Sequence, residues 1–180
     1  KTNGFRKNLY LKRSDTSRKD ESTSRLKVNW QLADNTKIKF LISQVDLNDP
    51  ADIWTIDGSL NTLSDRPGMD SQKTNSYGMK VFHSFDGFEL QSYTSSTYTN
   101  VIFSYDADWG NTDSHFPYVY DYFSETLRDR KSFNQEFRIV SDSADFQENS
   151  FFEWVIGANY LELKESNLKK DDGLYGDPSD

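Results

Sequence analysis

The stretch 77–103 constrains this chain more than any other, because two alternating runs meet at Asp86-Gly87. Ahead of the turn, Tyr77, Met79, Val81, His83 and Phe85 share one parity. Ser76, Gly78, Lys80, Phe82 and Ser84 share the other. Beyond it, Phe88, Leu90, Ser92 and Thr94 alternate with Glu89, Gln91, Tyr93 and Ser95. Strand side chains point to opposite faces with period 2, so this pattern makes one apolar and one polar face. Asp-Gly signals a hairpin because a type I′ turn needs positive φ at both central residues. Each arm outruns the about 5–6 residues of an ordinary globular strand. Long amphipathic strands on a tight turn are what a membrane-crossing barrel hairpin requires.

Two more pairs repeat the unit. Residues 22–32 put Leu26, Val28, Trp30 and Leu32 on one face, with Arg25, Lys27, Asn29 and Gln31 on the other. After Ala33-Asp34-Asn35, residues 36–45 return with Ile38, Phe40 and Ile42 opposite Lys37, Lys39 and Ser43, a pattern that Leu41 breaks. The third pair is 132–141 and 150–163, joined by the polar segment 142–149. One parity holds Phe133, Gln135, Phe137 and Ile139, then Phe152, Trp154, Ile156, Ala158 and Tyr160; Asn134, Glu136, Arg138, Glu153, Gly157 and Asn159 oppose them. Residues 1–20 and those after Lys164 read as loop, and 46–72 and 104–130 as long connections. Turn centres near Asp34, Asp86 and Asp145 recur roughly every 50–60 residues, as repeated architecture rather than repeated sequence. The expected fold is all-β, an antiparallel up-and-down meander of about six long strands. Long loops on one side and short turns on the other suit an outer-membrane barrel better than a sandwich.

Composition is reconciled by that geometry. An apolar fraction of 34% and a net charge of −8 lean towards disorder, whereas 15% aromatic residues argue for a fold. Strands apolar on one face only satisfy both. The acidic balance argues against a nucleic-acid partner. There is no cysteine, which excludes disulfides and thiolate metal sites. No apolar run of about 18 residues offers a membrane helix, and barrel strands would leave no such signal. The chain opens at Lys1 and closes on loop-like residues after Tyr175, and it is expected to be an internal piece of something longer.

The aromatic residues add a second observation. Trp30, Phe85, Phe88, Phe152 and Trp154 lie near the short turns on the apolar face, while Tyr77 and Tyr160 lie eight positions further along it. At about 3.3 Å per residue that separation is ~26 Å along a strand, or ~20 Å in height at a tilt of about 40°. Two aromatic girdles flanking an apolar band would look like this; so would core aromatics of a sandwich.

Several segments resemble TonB-dependent outer-membrane receptors. Arg13-Ser14-Asp15-Thr16, Asp20-Glu21 and Arg25-Leu26-Lys27-Val28-Asn29-Trp30 are similar to an early barrel segment of that family. Thr62 to Gln72, with Asp65-Arg66-Pro67-Gly68-Met69-Asp70 at its centre, resembles an external loop. Leu127-Arg128-Asp129-Arg130 and Gln135-Glu136-Phe137-Arg138-Ile139-Val140-Ser141 resemble a later segment, followed by the strand Phe152-Glu153-Trp154-Val155-Ile156-Gly157-Ala158-Asn159-Tyr160-Leu161. The resemblance implies an open segment of a 22-stranded transmembrane barrel in the outer membrane of a Gram-negative bacterium. It further implies active uptake of a scarce ligand, a ferric siderophore first, driven by TonB, ExbB and ExbD through a plug domain. The chain shows no plug, no TonB box and too few strands to close, so by itself it would leave lipid-facing edges unpaired. A passive porin-type barrel and a soluble β-sandwich that binds saccharide are the alternatives.

Neither an enzyme nor a cofactor is expected. His83 reads as a packed or interfacial histidine, and His115 has no metal-ligand spacing around it. Asp106, Asp108, Asn111 and Asp113 hint at a calcium loop, but Gly110 falls one position early, and a solvated acidic loop is expected instead. The connection 104–130 is dense in aromatics, which can stack on ligand rings and hydrogen-bond at once. Trp109, His115, Tyr118, Tyr120 and Tyr122 are therefore the candidate ligand-binding residues, against a plain role in packing the loop. Arg25, Lys27, Lys80, Glu136 and Arg138, with Lys39, are the candidates for a lumen- or plug-facing wall, against a merely solvated face.

Overall fold

The computed structural model describes residues 1–141 and 152–177. Six long strands form one antiparallel sheet: β2 (Glu21–Ala33), β3 (Thr36–Pro50), β5 (Met69–Phe85), β6 (Phe88–Asp106), β7 (Val119–Ser141) and β8 (Val155–Gly176). Each pairs only with its neighbours along the chain, so β2 and β8 are open edges. A separate pair, β1 (Lys7–Asn8) with β4 (Asn61–Thr62), is parallel. The antiparallel expectation therefore holds for the sheet and misses this small bridge between the N-terminal segment and the first long connection. There is no helix among the described residues.

The strands extend further than the apolar alternation does. β5 begins at Met69, inside the expected connection 46–72; β7 begins at Val119, so 119–130 is strand; and β8 runs on to Gly176 through the expected tail loop. The cause is physical: alternation reports which face is apolar, whereas a strand needs only backbone partners. Beyond Lys164, β8 is mostly polar on both faces, with Leu168, Leu174 and Tyr175 scattered among charged residues, yet it keeps its ladder with β7 from Lys131↔Lys164 to Val119↔Gly176. The expected segment 142–149 and the strand start at 150 lie outside the described residues; Phe152 to Trp154 precede β8 without belonging to it.

At the hairpin, Phe85 pairs with Phe88 and the rings stack at 4.8 Å. Only Gly87 has positive φ there, at 81°; Asp86 does not, so the expected type I′ geometry is absent. Asp86 keeps the negative φ that costs an L residue nothing, and glycine alone takes the left-handed position.

Register fixes the faces. Trp30, Ile38, Val81, Ser92, Phe137 and Ala158 stand directly across from one another, and the next row, on the opposite face, is Asn29, Lys39, Lys80, Tyr93, Glu136 and Asn159. The expected apolar face thus crosses all six strands, interrupted by Ser92, Thr94 and Ser96 on β6 and Gln135 on β7. Leu41, the residue out of pattern, lies opposite Gly78 on the polar face. No other element packs against either face of the sheet, so the second layer of a sandwich is missing among the described residues. Leu26, Val28, Trp30, Phe40, Phe85, Ile139 and Ile156 are exposed, and Ile38, Val81 and Trp154 half-buried.

Candidate ligand-recognition surface

The short turns Asp34-Asn35 and Asp86-Gly87 lie at one end of the sheet. Residues 1–20, 51–68 and 107–118 gather at the other. This loop end holds the buried residues, and they are polar. Asn8, only 1% exposed, donates from Nδ2 to Asp52 Oδ2 (2.9 Å) and to the Ser64 carbonyl (2.7 Å). Thr62, fully buried, donates its hydroxyl to the same Asp52 oxygen at 2.8 Å. Buried polar groups need partners, and here they come from two stretches of chain, the N-terminal segment at Asn8 and the loop 51–68. Arg66 completes the assembly by reaching Asp121 (3.4 Å) and Asp172 (2.9 Å) on β7 and β8, its guanidinium over the Phe123 ring.

The candidate aromatics divide into two groups. Tyr120 and Tyr122 are strand residues of β7, not loop residues, and their spacing of two puts both on one face. Their rings lie 4.8 Å apart, and His115 meets Tyr120 edge-on at 5.3 Å. Tyr122 lies over Gly173, where a β-carbon would come within 2.3 Å of its ring. Only a glycine admits that overlap. Trp109 and Tyr118 stand outside this ladder. Trp109 is 43% exposed at a positive φ of 64°, uncommon for a bulky residue, and its amide donates to Asp106 Oδ1 at 3.2 Å. Tyr118 is 47% exposed, its amide donating to the His115 carbonyl at 2.9 Å.

A second cluster escaped sequence reasoning. Trp54, from loop 51–68, packs on Phe103 and Tyr105 at 6.4 and 5.1 Å between centroids. Continued alternation through Tyr105 was the available signal that β6 runs on past 103.

The acidic turn is buried rather than solvated. Asp106 Oδ1 accepts from the amides of Asp108 and Trp109, both at 3.2 Å; Asp108 accepts from Gly110 (2.8 Å) and Tyr122 (2.7 Å). Asn111 donates to the Leu63 carbonyl at 2.9 Å, tying this turn to the other loop. These carboxylates thus replace missing backbone partners. Burial pushes the Asp106 carboxyl up to about 7; the nearby Ser64 hydroxyl offsets part of this, and Asp108 and Asp65 add to it. Burial likewise raises Asp65, with Asp121 and Asp108 contributing. Among the described residues no three histidine or acidic side chains converge to hold a metal ion.

No family model, curated protein or solved structure matches this chain.

The wall candidates share the polar face, where register brings some of them together. Lys80 and Glu136 flank Tyr93 directly, while Arg138 stands one row on. Lys80 lies 4.8 Å and Arg138 5.4 Å from the centre of the Tyr93 ring, Arg138 pairs with Glu136, and Lys39 sits 5.1 Å from the Phe82 ring. Arg25 and Lys27 occupy the same face of edge strand β2; Lys27 shares a cleft with the cluster, and Arg25 is not among its lining residues. A cleft of about 530 Å³ opens between Lys27, Leu41, Lys80, Tyr93 and Asn134. On this face Phe82 and Tyr93 serve as supports for cations, a role their parity in a polar run does not announce.

Proposed function

We propose that this chain is part of the wall of an outer-membrane β-barrel of the TonB-dependent receptor type, serving active uptake of a scarce ligand such as a ferric siderophore. The observation that carries the reading is the largely apolar face of a single-layer sheet, with large apolar side chains exposed on its strands. Monomeric soluble proteins rarely leave apolar patches beyond a few hundred Å² uncovered, whereas lipid would cover this face. The open edges at β2 and β8 then await further strands, since backbone groups in lipid must be paired. The opposite, polar face lines the interior, with Arg25, Lys27, Lys80, Glu136 and Arg138 towards a plug or water. The loop end faces outward and offers ligand the aromatic residues Trp109, His115, Tyr118, Tyr120 and Tyr122.

The test is uptake by the intact receptor in cells with and without TonB, together with insertion of the refolded protein into bilayers. Uptake that stops without TonB is the expected result. Insertion combined with TonB-independent flux would leave the passive-barrel reading in its place. A protein that stays in buffer and refuses detergent would overturn the membrane assignment.

A further inference from the structure

Part of the polar face carries a charge opposite to that of the whole chain, whose net charge is −8. Four neighbouring rows hold Arg25, Lys27, Lys37, Lys39, Lys80 and Arg138 against a single acid, Glu136. Arg138 pairs with Glu136, and the other five cations form no ion pair among the described residues. The next acids along this face are Glu89 towards the turns and Glu165 towards the loops, the latter paired with Arg128 and Arg130. Each lies ~13 Å along the sheet from the row of the nearest cleft lysine. Exposed charges more than about 10 Å apart are largely screened at 0.1 M salt. Asp34, Asp86 and Glu153 lie further still, at the turn end.

Three of these cations, Lys27, Lys39 and Lys80, line the cleft of about 530 Å³, and all three are exposed. Lys39 and Lys80 stand directly across from each other on β3 and β5. Like charges in that position repel. Their ammonium groups lie 5.1 Å from the Phe82 ring and 4.8 Å from the Tyr93 ring, and the two rings meet edge-on at 5.9 Å. The rings offset part of the repulsion but neutralise no charge. Leu41 and Gly78 add an apolar stretch to the walls, and Asn29 and Ser95 add neutral hydrogen-bond donors. A cleft with one sign of charge and apolar walls focuses the field and concentrates counter-ions. Its volume falls in the range of small-molecule sites, about 300–1,000 Å³.

We propose that this cleft binds a compact polyanion, a small molecule with two or more carboxylate or phosphate groups, held between Lys27, Lys39 and Lys80. Lysine is a point charge on a flexible stem, so such a site selects the number of charges rather than one oxyanion geometry. The inference rests on the charge and shape of this face; bilayer insertion and TonB dependence test the membrane reading separately.

The full chain in detergent, at low and fixed ionic strength, should be titrated calorimetrically with pyrophosphate, with tricarballylate and with acetate. Saturable binding of at least one polyanion is expected, and which binds more tightly tells a phosphate source from a carboxylate source. Acetate should bind at least tenfold more weakly. Lys39→Gln and Lys80→Gln should each weaken polyanion binding about fivefold, the effect of one ion pair in water, and the double variant more. Lys27→Gln carries the test if those variants fail to fold. Lys164→Gln, on the opposite face and paired with Glu162, should leave the affinity unchanged. Silence with both polyanions in the wild type would overturn the proposal. So would acetate binding as tightly, unchanged affinity in the cleft variants, or an equal loss in Lys164→Gln.

Discussion

The two ends of this sheet bury opposite things. Towards the short turns, large apolar side chains are exposed, among them Trp30 at 51% and Ile156 at 66%. Towards the loops the buried residues are polar, including Asn8, Asp52, Thr62, Asp106 and Asp108; Ala51 is the one buried apolar residue described. A water-soluble domain is organised the other way round. The turn end therefore draws its stability from whatever covers it, while the loop end holds itself together by hydrogen bonds among residues distant in sequence. On the proposed reading, one chain is built for two solvents.

The sharpest way to break that comparison is to place a charge on the apolar face. On the proposed reading, in the protein refolded into lipid, Val28→Arg or Ile156→Arg should cost about 2–4 kcal/mol near the bilayer midplane. Denaturant titration of the inserted protein measures it, and a near-zero cost would remove lipid from this face. At the loop end the corresponding weak point is Asp52. Asp52→Ala leaves Asn8 and Thr62 with lost acceptors and should cost about 1–3 kcal/mol of loop-end stability, read by hydrogen exchange at residues 7–9 and 61–64.

The loop end should also answer to pH. Asp106 is pushed from its ordinary 3.8 up to about 7, so the folded chain keeps a proton that the unfolded chain releases between those values. The stabilisation is complete below about pH 4, falls as pH rises to about 7, and is level above. Thermal unfolding in detergent at pH 4.5 and 7.5 should show this loss in the wild type and less of it in Asp106→Asn. A slope identical in the two proteins would assign it elsewhere. The smallest effect belongs to the control, Leu168→Arg. Leu168 is 52% exposed on the same face of β8 as Ile156, about 40 Å further along, and the change should stay within about 0.5 kcal/mol.

The turn end was legible in the sequence and the loop end was not, for reasons in the residues. Alternation at Leu26-Val28-Trp30 and Tyr77-Met79-Val81 gave strand and face together, since a slip of one residue would turn every side chain over. Polar strand such as 165–176 carries no alternation, so β8 appeared to stop where its apolar face stopped. The candidate site was half visible. The aromatic density of 104–130 was plain, but the Gly173 that seats Tyr122 lies in the stretch read as a tail. The Asp52 knot joins positions 8, 52, 62 and 64, a coincidence that no local pattern encodes. Trp54 likewise gave no sign of its partners on β6.

The strands of the sheet lengthen from one edge towards the other: 13 residues in β2, 15 in β3, 17 in β5, 19 in β6, then 23 in β7 and 22 in β8. A bilayer crossing takes about 9–11 residues, so on the proposed reading the surplus stands outside the membrane. At about 3.3 Å per residue, β2 measures ~43 Å and β7 ~76 Å. The rim of such a wall is a ramp and not a ring. A molecule drifting in from outside meets the parapet of β7 and β8 first, with Tyr120 and Tyr122 near its crest, and descends along the slope towards β2.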